Sequence, residues 1–272
     1  MIKSPFLLLL LALTASCRPV LNYPSPLGPR YSGVPATPAS AVTASHALHV
    51  VTYNVKWGEH IDRAINVLTT RAPLPGADII VLQEMDAEGT RRIAEALGMS
   101  WVYYPAVVHP KAARQDFGNA VLSRWPIVAD EKVMLPHIGG IRHSRRIATA
   151  ATILVGTTKV RVYSAHLGTP SEIRPSKRRD QAHTILADAQ SYALVIVAGD
   201  MNSHGIGKEF VAGGYQWPTE HNGFTSAVFN WDHVFLKGFD KPVPGSVKAT
   251  GIVRDTLGTS DHDPVWAVAQ LP

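Results

Sequence analysis

Short apolar runs that end in an acid, an amide or an imidazole recur along this chain, and they constrain its fold more than any other feature. The polar residues that follow such runs are, in chain order, Glu84, His166, Asp200 and Asn202. Near the end of the chain, Asp261 and His262 stand just before a last apolar run at residues 266–271. An apolar run bounded in this way indicates a buried strand, and a polar residue at its end lies at the edge of a sheet. The sequence therefore predicts a sheet edge that carries carboxylates, amides and imidazoles.

The order of predicted elements favours one large α/β domain. The chain has 272 residues, 46% of them apolar, so it can bury a sizeable core. Apolar runs predict strands at 50–53, 79–81, 101–108, 120–123, 147–155, 160–165, 194–198, 232–236 and 264–269. Helical spacing of apolar residues predicts helices at 61–68, 90–97 and 182–189. This mixture suits two packed sheets with helices outside. No glycine-rich loop follows the first strand, which argues against nucleotide binding of the P-loop or Rossmann kind.

Residues 1–16 have the features of a signal peptide: a lysine near the start, an apolar segment, and small residues before Cys17. The residues before Cys17 resemble the lipobox of bacterial lipoproteins, although Thr14 stands where leucine is preferred. Acyl chains on Cys17 would hold the mature protein on a membrane, whereas an ordinary cleaved signal beside an incidental cysteine is the alternative. We expect an exported protein of the bacterial cell envelope, lipid-anchored to a membrane, either periplasmic or on the cell surface. Because Cys17 is the single cysteine, no internal disulfide can form.

Residues 17–45 contain the anchor cysteine and a proline-rich linker. Six prolines fall in this stretch, among serine, alanine, threonine and glycine. Such a composition provides too few large apolar side chains for a core, and proline keeps the backbone extended. We expect a tether with an outer limit on the order of 90 Å. The composition then becomes globular, and residues 46–272 are assigned to one domain.

The predicted sheet edge offers ligands for a hard cation. Glu84 and Asp261 provide carboxylate oxygens and Asn54 an amide oxygen, which are the ligands that Mg²⁺ or Mn²⁺ prefers. Zinc would require more histidine and cysteine at tighter spacing. A lone carboxylate after a strand is more often a turn or capping residue. The recurrence of such residues along the chain is what favours a metal site.

The same residues suit the hydrolysis of a phosphoester, whose negative charge repels a nucleophile. A divalent cation neutralises the phosphate oxygens, and a fixed base activates water. His262 can be that base, with Asp232 orienting it. His166 can donate a hydrogen bond to the phosphate. Asp200 and Asn202 can position the attacking water or stabilise the transition state.

Seven short motifs resemble, in order, those of the endonuclease/exonuclease/phosphatase superfamily of metallohydrolases. They are Tyr53-Asn54-Val55, Leu82-Gln83-Glu84, Gly118-Asn119-Ala120-Val121-Leu122-Ser123, Ala165-His166-Leu167, Gly199-Asp200-Met201-Asn202, Trp231-Asp232-His233 and Ser260-Asp261-His262-Asp263-Pro264-Val265. The resemblance implies a four-layer α/β sandwich, in which two packed, mostly antiparallel sheets are flanked by helices, and it makes residues 46–272 a catalytic domain. It also implies the metal ligands Asn54, Glu84 and Asp261 and the catalytic residues His166, Asp200, Asn202, Asp232 and His262.

Branches of this superfamily cleave nucleic acids, sphingomyelin or inositol phosphates. Abasic-site endonucleases carry an aspartate where this chain has Lys56 and favour a tyrosine at the position of His166, so genome repair is disfavoured. The net charge of +5 suits a polyanion mildly. We expect a Mg²⁺- or Mn²⁺-dependent phosphodiesterase or nuclease. A sphingomyelinase-like or inositol-phosphate hydrolase is the alternative, and a catalytically silent binding lipoprotein is the third.

Two basic clusters contribute to that charge. They comprise Arg142, Arg145 and Arg146 in the first and Arg174, Lys177, Arg178 and Arg179 in the second. A solvated face and a phosphate clamp beside His166 are the alternatives for both clusters. His233 is expected to be structural, and no self-complementary apolar stripe is visible, so we expect a monomer.

Overall fold

Two β-sheets stack face to face in the computed structural model, which describes residues 20–36, 47–108, 115–241 and 249–272. The strands are β1 (Tyr31–Gly33), β2 (Ala47–Asn54), β3 (Ile79–Met85), β4 (Ser100–Val108), β5 (Asp116–Ser123), β6 (Ile127–Met134), β7 (Ile147–Val155), β8 (Thr158–His166), β9 (Val195–Asp200), β10 (Asp232–Lys237), β11 (Thr250–Ile252) and β12 (Val265–Gln270). One sheet has seven strands in the order β1-β4-β5-β3-β2-β12-β11. The other has five in the order β10-β9-β8-β7-β6.

Helices cover the outer face of each sheet. They are α1 (Ile61–Thr70), α2 (Ala87–Leu97), α3 (Pro175–Asp188) and α4 (Gly207–Ala212), with short 3-10 turns at Lys56–Gly58 and His204–Ile206. Apolar residues of α1 and α2 pack on the seven-stranded sheet, and those of α3 and α4 pack on the five-stranded sheet. The layers therefore run helix, sheet, sheet, helix. The predicted four-layer α/β sandwich is confirmed.

Each central strand contributes to two apolar cores, because successive side chains point to opposite faces. In β2, Val50 packs between the two sheets, whereas Val51 packs beneath α1 and α2. Covering both faces explains why the central strands are continuous apolar runs rather than alternating ones. Full burial of each such side chain contributes about 1.5–3 kcal/mol of stabilisation.

Two parallel strand pairs lie within sheets that are otherwise antiparallel. β2 pairs with β3 in one sheet, and β8 pairs with β9 in the other. Asn54 at the end of β2 donates to Asp200 at the end of β9 at 3.1 Å. Both parallel pairs therefore end at the same edge of the sandwich, which is where the sequence predicted its polar residues.

Several elements were not predicted from the sequence, namely β1, β6, β11 and α4. The longest of these is β6, an edge strand in which Asp130, Glu131 and Lys132 interrupt the apolar pattern. Charged residues are typical of edge strands, since they discourage pairing with other chains. A search for apolar runs therefore misses a strand of this kind.

The N-terminal residues 20–36 lie against the folded domain, so the prediction of a tether throughout residues 17–45 is wrong for this part. β1 pairs with β4 at the edge of the seven-stranded sheet. Ahead of it, Tyr23 N donates to Ala106 O at 2.9 Å. A proline-rich segment adds little to a core, but its extended backbone can still pair with a free strand edge. Residues 20–36 are therefore part of the folded domain.

The predicted signal peptide and Cys17 lie outside the described residues. Within the described ranges, no helix combines the length and the apolar character needed to cross a bilayer.

Candidate active site

Strand ends from both sheets converge on one edge of the sandwich. The residues at the ends of the parallel strands are Asn54 (β2), Glu84 (β3), His166 (β8) and Asp200 (β9). Asp232 begins the antiparallel strand β10, and His262 lies just before β12, so both reach the same edge from the other direction. Asn202 joins the group through its backbone N, which donates to Asp200 Oδ1 at 2.8 Å. The structure thus brings together all the predicted site residues except Asp261.

One half of the cleft, here named the carboxylate side, consists of Asp200, Asp232 and His262. His262 Nδ1 lies 2.8 Å from Asp232 Oδ2, and His262 Nε2 lies 3.8 Å from Asp200 Oδ2. Thr225 Oγ1 donates to Asp232 Oδ2 at 2.6 Å and orients that carboxylate. Burial alone would lower the pKa of His262, but Asp232 and Asp200 outweigh it and raise this pKa to about 10. His262 is therefore an imidazolium at neutral pH when no cation offsets these carboxylates.

The other half, here named the guanidinium side, consists of Arg146 and His166. Arg146 Nη1 lies 3.0 Å from each ring nitrogen of His166. The guanidinium carbon also lies 5.7 Å from the centre of the Phe117 ring, within cation–π range. Burial, and then the charge of Arg146, lower the pKa of His166 well below its ordinary value. His166 is therefore neutral, the opposite of His262.

Asp200 lies between the two halves. Its Oδ2 is 3.4 Å from His166 Nε2, and burial, opposed in part by His262, raises the pKa of this carboxyl. Asp200 reaches this position because the residue before it, Gly199, has no side chain and lets β9 approach β8 very closely. A Cβ at Gly199 would lie 1.9 Å from Ala165 O, and its φ of +151° is one that other residues rarely adopt.

A divalent cation fits the donors at this edge. Asp200, Asp232 and His262 each offer a ligand atom, and these atoms lie within 4.8 Å of one another. Asp232 Oδ1 is buried and has no hydrogen-bond partner among the described residues. Burial also raises the pKa of the neighbouring Glu84, so a third carboxyl is held in surroundings that oppose its charge. A site in which carboxylates outnumber the neighbouring cationic side chains is typical of those that bind Mg²⁺ or Mn²⁺.

The predicted metal ligands Asn54, Glu84 and Asp261 are only partly together. Asn54 Nδ2 donates to Glu84 Oε1 at 3.3 Å, so the amide nitrogen faces the carboxylate, and its oxygen would face a cation only after a rotation of the amide. Asp261 has an exposed side chain and no hydrogen bond or ion pair to the described residues. Asp261 lies in a bend directly before His262, whose side chain is buried. The role of Asp261 as a metal ligand therefore stays a prediction.

Backbone strain accompanies these contacts. Glu84, Asn202 and Trp57 adopt left-handed φ values of 59°, 50° and 58°. Such conformations cost on the order of 1–3 kcal/mol each, and they concentrate at functional sites. Here hydrogen bonds hold them: Trp57 N donates to Glu84 Oε2 at 3.0 Å, and Asn202 Nδ2 donates to Leu167 O at 3.0 Å.

Three polar residues without a predicted role support the site. Gln83 Nε2 donates to Ser164 Oγ at 3.1 Å, and Asn119 Nδ2 donates to Ser164 O at 3.2 Å, so both connect the two sheets. Thr225 orients Asp232, as described above. Gln83 and Asn119 stand inside the sequence motifs, which is the signal that could have identified them. Thr225 lies in a loop outside any motif, and no sequence signal marks it.

Two cavities open beside the site. The first, of about 380 Å³, is on the guanidinium side. The residues that line it include Glu84, Arg146, Trp57, Phe117, Arg142 and Glu172. The second, of about 670 Å³, reaches Asn202, and its lining combines apolar residues with polar ones such as His204, Glu220 and His221. Among the apolar residues, Phe229 stacks on Trp231 with ring centres 4.3 Å apart, and Trp231 lies 6.3 Å from the His262 ring. A charged group and an apolar group can therefore be bound on opposite sides of the site.

The remaining candidates have structural surroundings. Arg178, from the second basic cluster, is buried and donates to Gly168 O at 2.7 Å, so it shapes the loop after β8. His233 is buried and accepts a hydrogen bond from Trp217 Nε1 at 3.2 Å. Burial lowers the pKa of His233 to about 4, so this ring is neutral, as a structural histidine would be.

The family of the chain follows from its sequence together with this geometry. The model of the Endonuclease/Exonuclease/phosphatase family matches residues 51–262, a span that holds every site residue described above. The chain belongs to this family. Its hydrolases use divalent metals, in agreement with the buried cluster of Asp200, Asp232 and His262. No curated protein matches the sequence.

Solved structures with the same fold include proteins of different activity. A family protein from Leptotrichia buccalis superposes with a TM-score of 0.64 at 18% identity, over 83% of this chain and 99% of that one. TDP2 from D. rerio, in complex with a single-strand DNA product, has a TM-score of 0.61 at 15% identity, over 83% and 99%. Sphingomyelinase C from Streptomyces griseocarneus has a TM-score of 0.58 at 22% identity, over 83% and 99%. At these identities the likeness shows the fold alone.

Proposed function

We propose that this protein is a Mg²⁺- or Mn²⁺-dependent phosphodiesterase and that its substrate is nucleic acid. One observation carries the proposal: His262 and His166 lie on opposite sides of Asp200, at 3.8 and 3.4 Å from its Oδ2, and one ring lies beside a carboxylate whereas the other lies beside a guanidinium. Two titratable groups separated in this way can divide the work of proton transfer and phosphate binding. The cavity beside Arg146 adds a cationic place for the phosphate.

The residues of the chain can be assigned to steps. Glu84, with Asn54 after a rotation of its amide and with Asp261 as the further predicted ligand, would hold a divalent cation that neutralises phosphate oxygens, which leaves Asp200, Asp232 and His262 to act on the attacking water. His262, oriented by Asp232, takes a proton from the attacking water once a nearby positive charge has lowered the pKa of its ring.

Opposite His262, the neutral His166 donates a hydrogen bond to a phosphate oxygen, and the guanidinium of Arg146 attracts the same anion. Asp200 and Asn202, joined by a hydrogen bond, position the water for attack. The chain thus supplies the base and its orientation on one side and anion binding on the other.

A phospholipid is the second candidate substrate, and the exposed apolar side chains at the margin of the 670 Å³ cavity favour it. Phe224, Val228 and Phe229 are 56%, 65% and 46% exposed at this margin. Exposed apolar side chains beside a reaction centre suit a lipid chain or a bilayer surface, whereas a nucleobase would stack on the Phe229–Trp231 pair. An inositol phosphate would use neither feature.

Export and anchoring remain part of the proposal. We infer that Cys17 is acylated and that the protein works as a monomer on a membrane of the cell envelope. Substitution of Cys17→Ser should move the protein from the membrane to the soluble fraction and remove the acyl mass from its N-terminal peptide. An unmodified N-terminal peptide in the native protein would contradict acylation.

The activity test uses the chain from residue 18 onward and its His262→Ala variant. Both are incubated with Mg²⁺, Mn²⁺ or a chelator against plasmid DNA, RNA, sphingomyelin vesicles and a phosphoinositide. Cleavage of nucleic acid that requires both the metal and His262 is the expected result. Substitution of His183→Ala, an exposed histidine paired with Glu209 at 2.8 Å, is the matched control and should retain full activity.

The substrate panel also decides between the candidates. Cleavage of sphingomyelin alone would replace the nuclease assignment by the lipid one and leave the mechanism unchanged. Failure to cleave any of the four substrates with either metal would contradict the phosphodiesterase proposal and favour a binding protein.

A further inference from the structure

The loop that carries Arg146 is held from two sides. Residues 139–146 lie in the connection between β6 and β7, and they line the 380 Å³ cavity through Ile141, Arg142 and Arg146. From one side, Glu172 accepts hydrogen bonds from Ile141 N at 3.0 Å and Arg142 N at 3.4 Å. These bonds fix the first half of the loop. The second half, which leads into Arg146, is held by a different part of the chain.

Asn22, from the N-terminal segment, fixes this second half. Asn22 Oδ1 accepts a hydrogen bond from Arg145 N at 2.7 Å, and Asn22 Nδ2 donates to His143 O at 2.8 Å. Next to it, Val20 N donates to Arg142 O at 2.9 Å. One side-chain amide thus bonds the residue directly before Arg146 and a residue three positions before it. Asparagine suits this position because its amide offers both an acceptor and donors.

The backbone around Asn22 is itself held on the body of the domain. Val108 N donates to Leu21 O at 2.7 Å, and Tyr23 N donates to Ala106 O at 2.9 Å, both on β4. The Tyr23 hydroxyl donates to Asp116 Oδ1 at 2.6 Å. Asn22 is therefore presented to the loop by a fixed backbone, so little conformational freedom is lost when its side chain bonds the loop.

We propose that Asn22 is a positioning residue for the guanidinium side of the active site, which binds the substrate's phosphate. It acts through the 139–146 loop, which places the guanidinium of Arg146 against His166. This inference rests on the proposed phosphoesterase function and deepens it. It makes the N-terminal segment part of the machinery that binds the substrate's phosphate.

The test compares the chain from residue 18 onward with Asn22→Ala and with Tyr23→Phe as the matched control. Tyr23→Phe removes a hydrogen bond from the same segment but none from the loop. Three quantities are measured: the Kd of inorganic phosphate by calorimetry, KM and kcat for bis(p-nitrophenyl) phosphate with Mg²⁺, and amide hydrogen exchange in residues 139–147. If Asn22→Ala does not fold, Asn22→Asp, which keeps the acceptor for Arg145 N, takes its place.

Asn22→Ala should weaken phosphate binding and raise KM by about 5- to 10-fold, as the loss of one or two positioning hydrogen bonds predicts. We expect kcat to change by less than about twofold, since the residues on the carboxylate side are untouched. Hydrogen exchange in the loop should accelerate in Asn22→Ala and stay unchanged in Tyr23→Phe.

Faster exchange without any change in phosphate Kd or KM would overturn the inference, and so would unchanged exchange. A wild-type protein that binds phosphate but cleaves no phosphoester would contradict the proposed function, while the phosphate and exchange data would still decide the role of Asn22. A wild-type protein that binds no phosphate would contradict the inference about Asn22, whereas turnover of bis(p-nitrophenyl) phosphate would still decide the proposed function.

Discussion

The carboxylate side and the guanidinium side of the cleft each hold one buried histidine, yet the two rings carry different charges. His262 has a carboxylate at 2.8 Å, whereas His166 has a guanidinium at 3.0 Å. Burial lowers the pKa of both rings, and the neighbouring charge then decides the outcome. The difference teaches that residue type and depth do not set the role of a histidine. The sign of the nearest partner does, and that partner can lie far away in the sequence.

The largest effect is expected on the carboxylate side, from Asp232→Asn. The amide keeps the size of the carboxylate but removes the charge that orients and polarises His262. We expect kcat for a phosphodiester to fall by about 100- to 10,000-fold, because base catalysis and its orientation are lost together. Steady-state kinetics with saturating Mg²⁺ measure this. A decrease in kcat of less than about threefold would show that the base catalysis assigned to His262, with Asp232 orienting it, does not take part in the reaction.

Glu84→Gln tests whether this buried carboxyl, which lies beside both sides of the cleft, is a ligand of the divalent cation. Loss of this buried carboxylate should weaken the binding of Mn²⁺ by about 10- to 100-fold, since charged oxygen ligands set the affinity of such sites. Calorimetric or electron paramagnetic resonance titration with Mn²⁺ measures the affinity without turnover. The exposed Glu88→Gln, on the first turn of α2, is the control. Equal affinity in wild type and Glu84→Gln would exclude Glu84 as a ligand.

On the guanidinium side, Arg146→Lys keeps the charge and loses the planar group that lies against His166. We expect KM to rise by about 10-fold while kcat changes less, because lysine replaces a fork of donors by a single point charge. Arg179→Lys on the exposed face of α3 should leave both constants unchanged. An unchanged KM in Arg146→Lys would show that charge alone suffices on this side.

The last prediction concerns stability and its dependence on pH, with no effect on catalysis measured. The pKa of His262 is raised to about 10 in the folded protein from an ordinary value of 6.5, so its stabilising contribution is complete below pH 6.5 and is lost as the pH rises through 10. His262→Asn should therefore lower the free energy of unfolding more at pH 6 than at pH 10.5, by up to about 5 kcal/mol, because each unit between the two pKa values contributes about 1.4 kcal/mol. Urea unfolding in the presence of a chelator measures the difference. Equal losses at both pH values would contradict the raised pKa.

Strand-end residues were the part of the site that the sequence could predict. The amino-acid pattern predicted that Asn54, His166 and Asp200 stand at strand ends, whereas the parallel pairing of β2 with β3 and of β8 with β9, which brings these ends to one edge, was seen only in the structure. The four-layer fold follows from the same runs, because strands that are apolar on both faces need a layer on each side. The motifs added Asp232 and His262 through their resemblance to a family.

Partners that depend on the path of a loop could not be predicted. Thr225 meets Asp232 because of the turn between them, and Arg146 meets His166 because Asn22 and Glu172 fix the loop before it. No periodic pattern specifies such a path. The N-terminal segment was misjudged for a related reason: composition indicates whether a segment can form a core, but not whether a strand edge elsewhere in the chain has room to bind it.

The docked N-terminal segment also sets how an anchored enzyme would search for its substrate. If Cys17 is acylated, three peptide units separate it from Val20, which lines the cavity beside Arg146, and they span at most about 11 Å. The active site would then stay close to the lipid headgroups, whereas a long linker would let it move through a larger volume above the membrane. Encounters with substrate would be governed by lateral diffusion of the whole protein in the plane of the membrane, and polymers or lipids lying at that surface would be cleaved in preference to those free in solution.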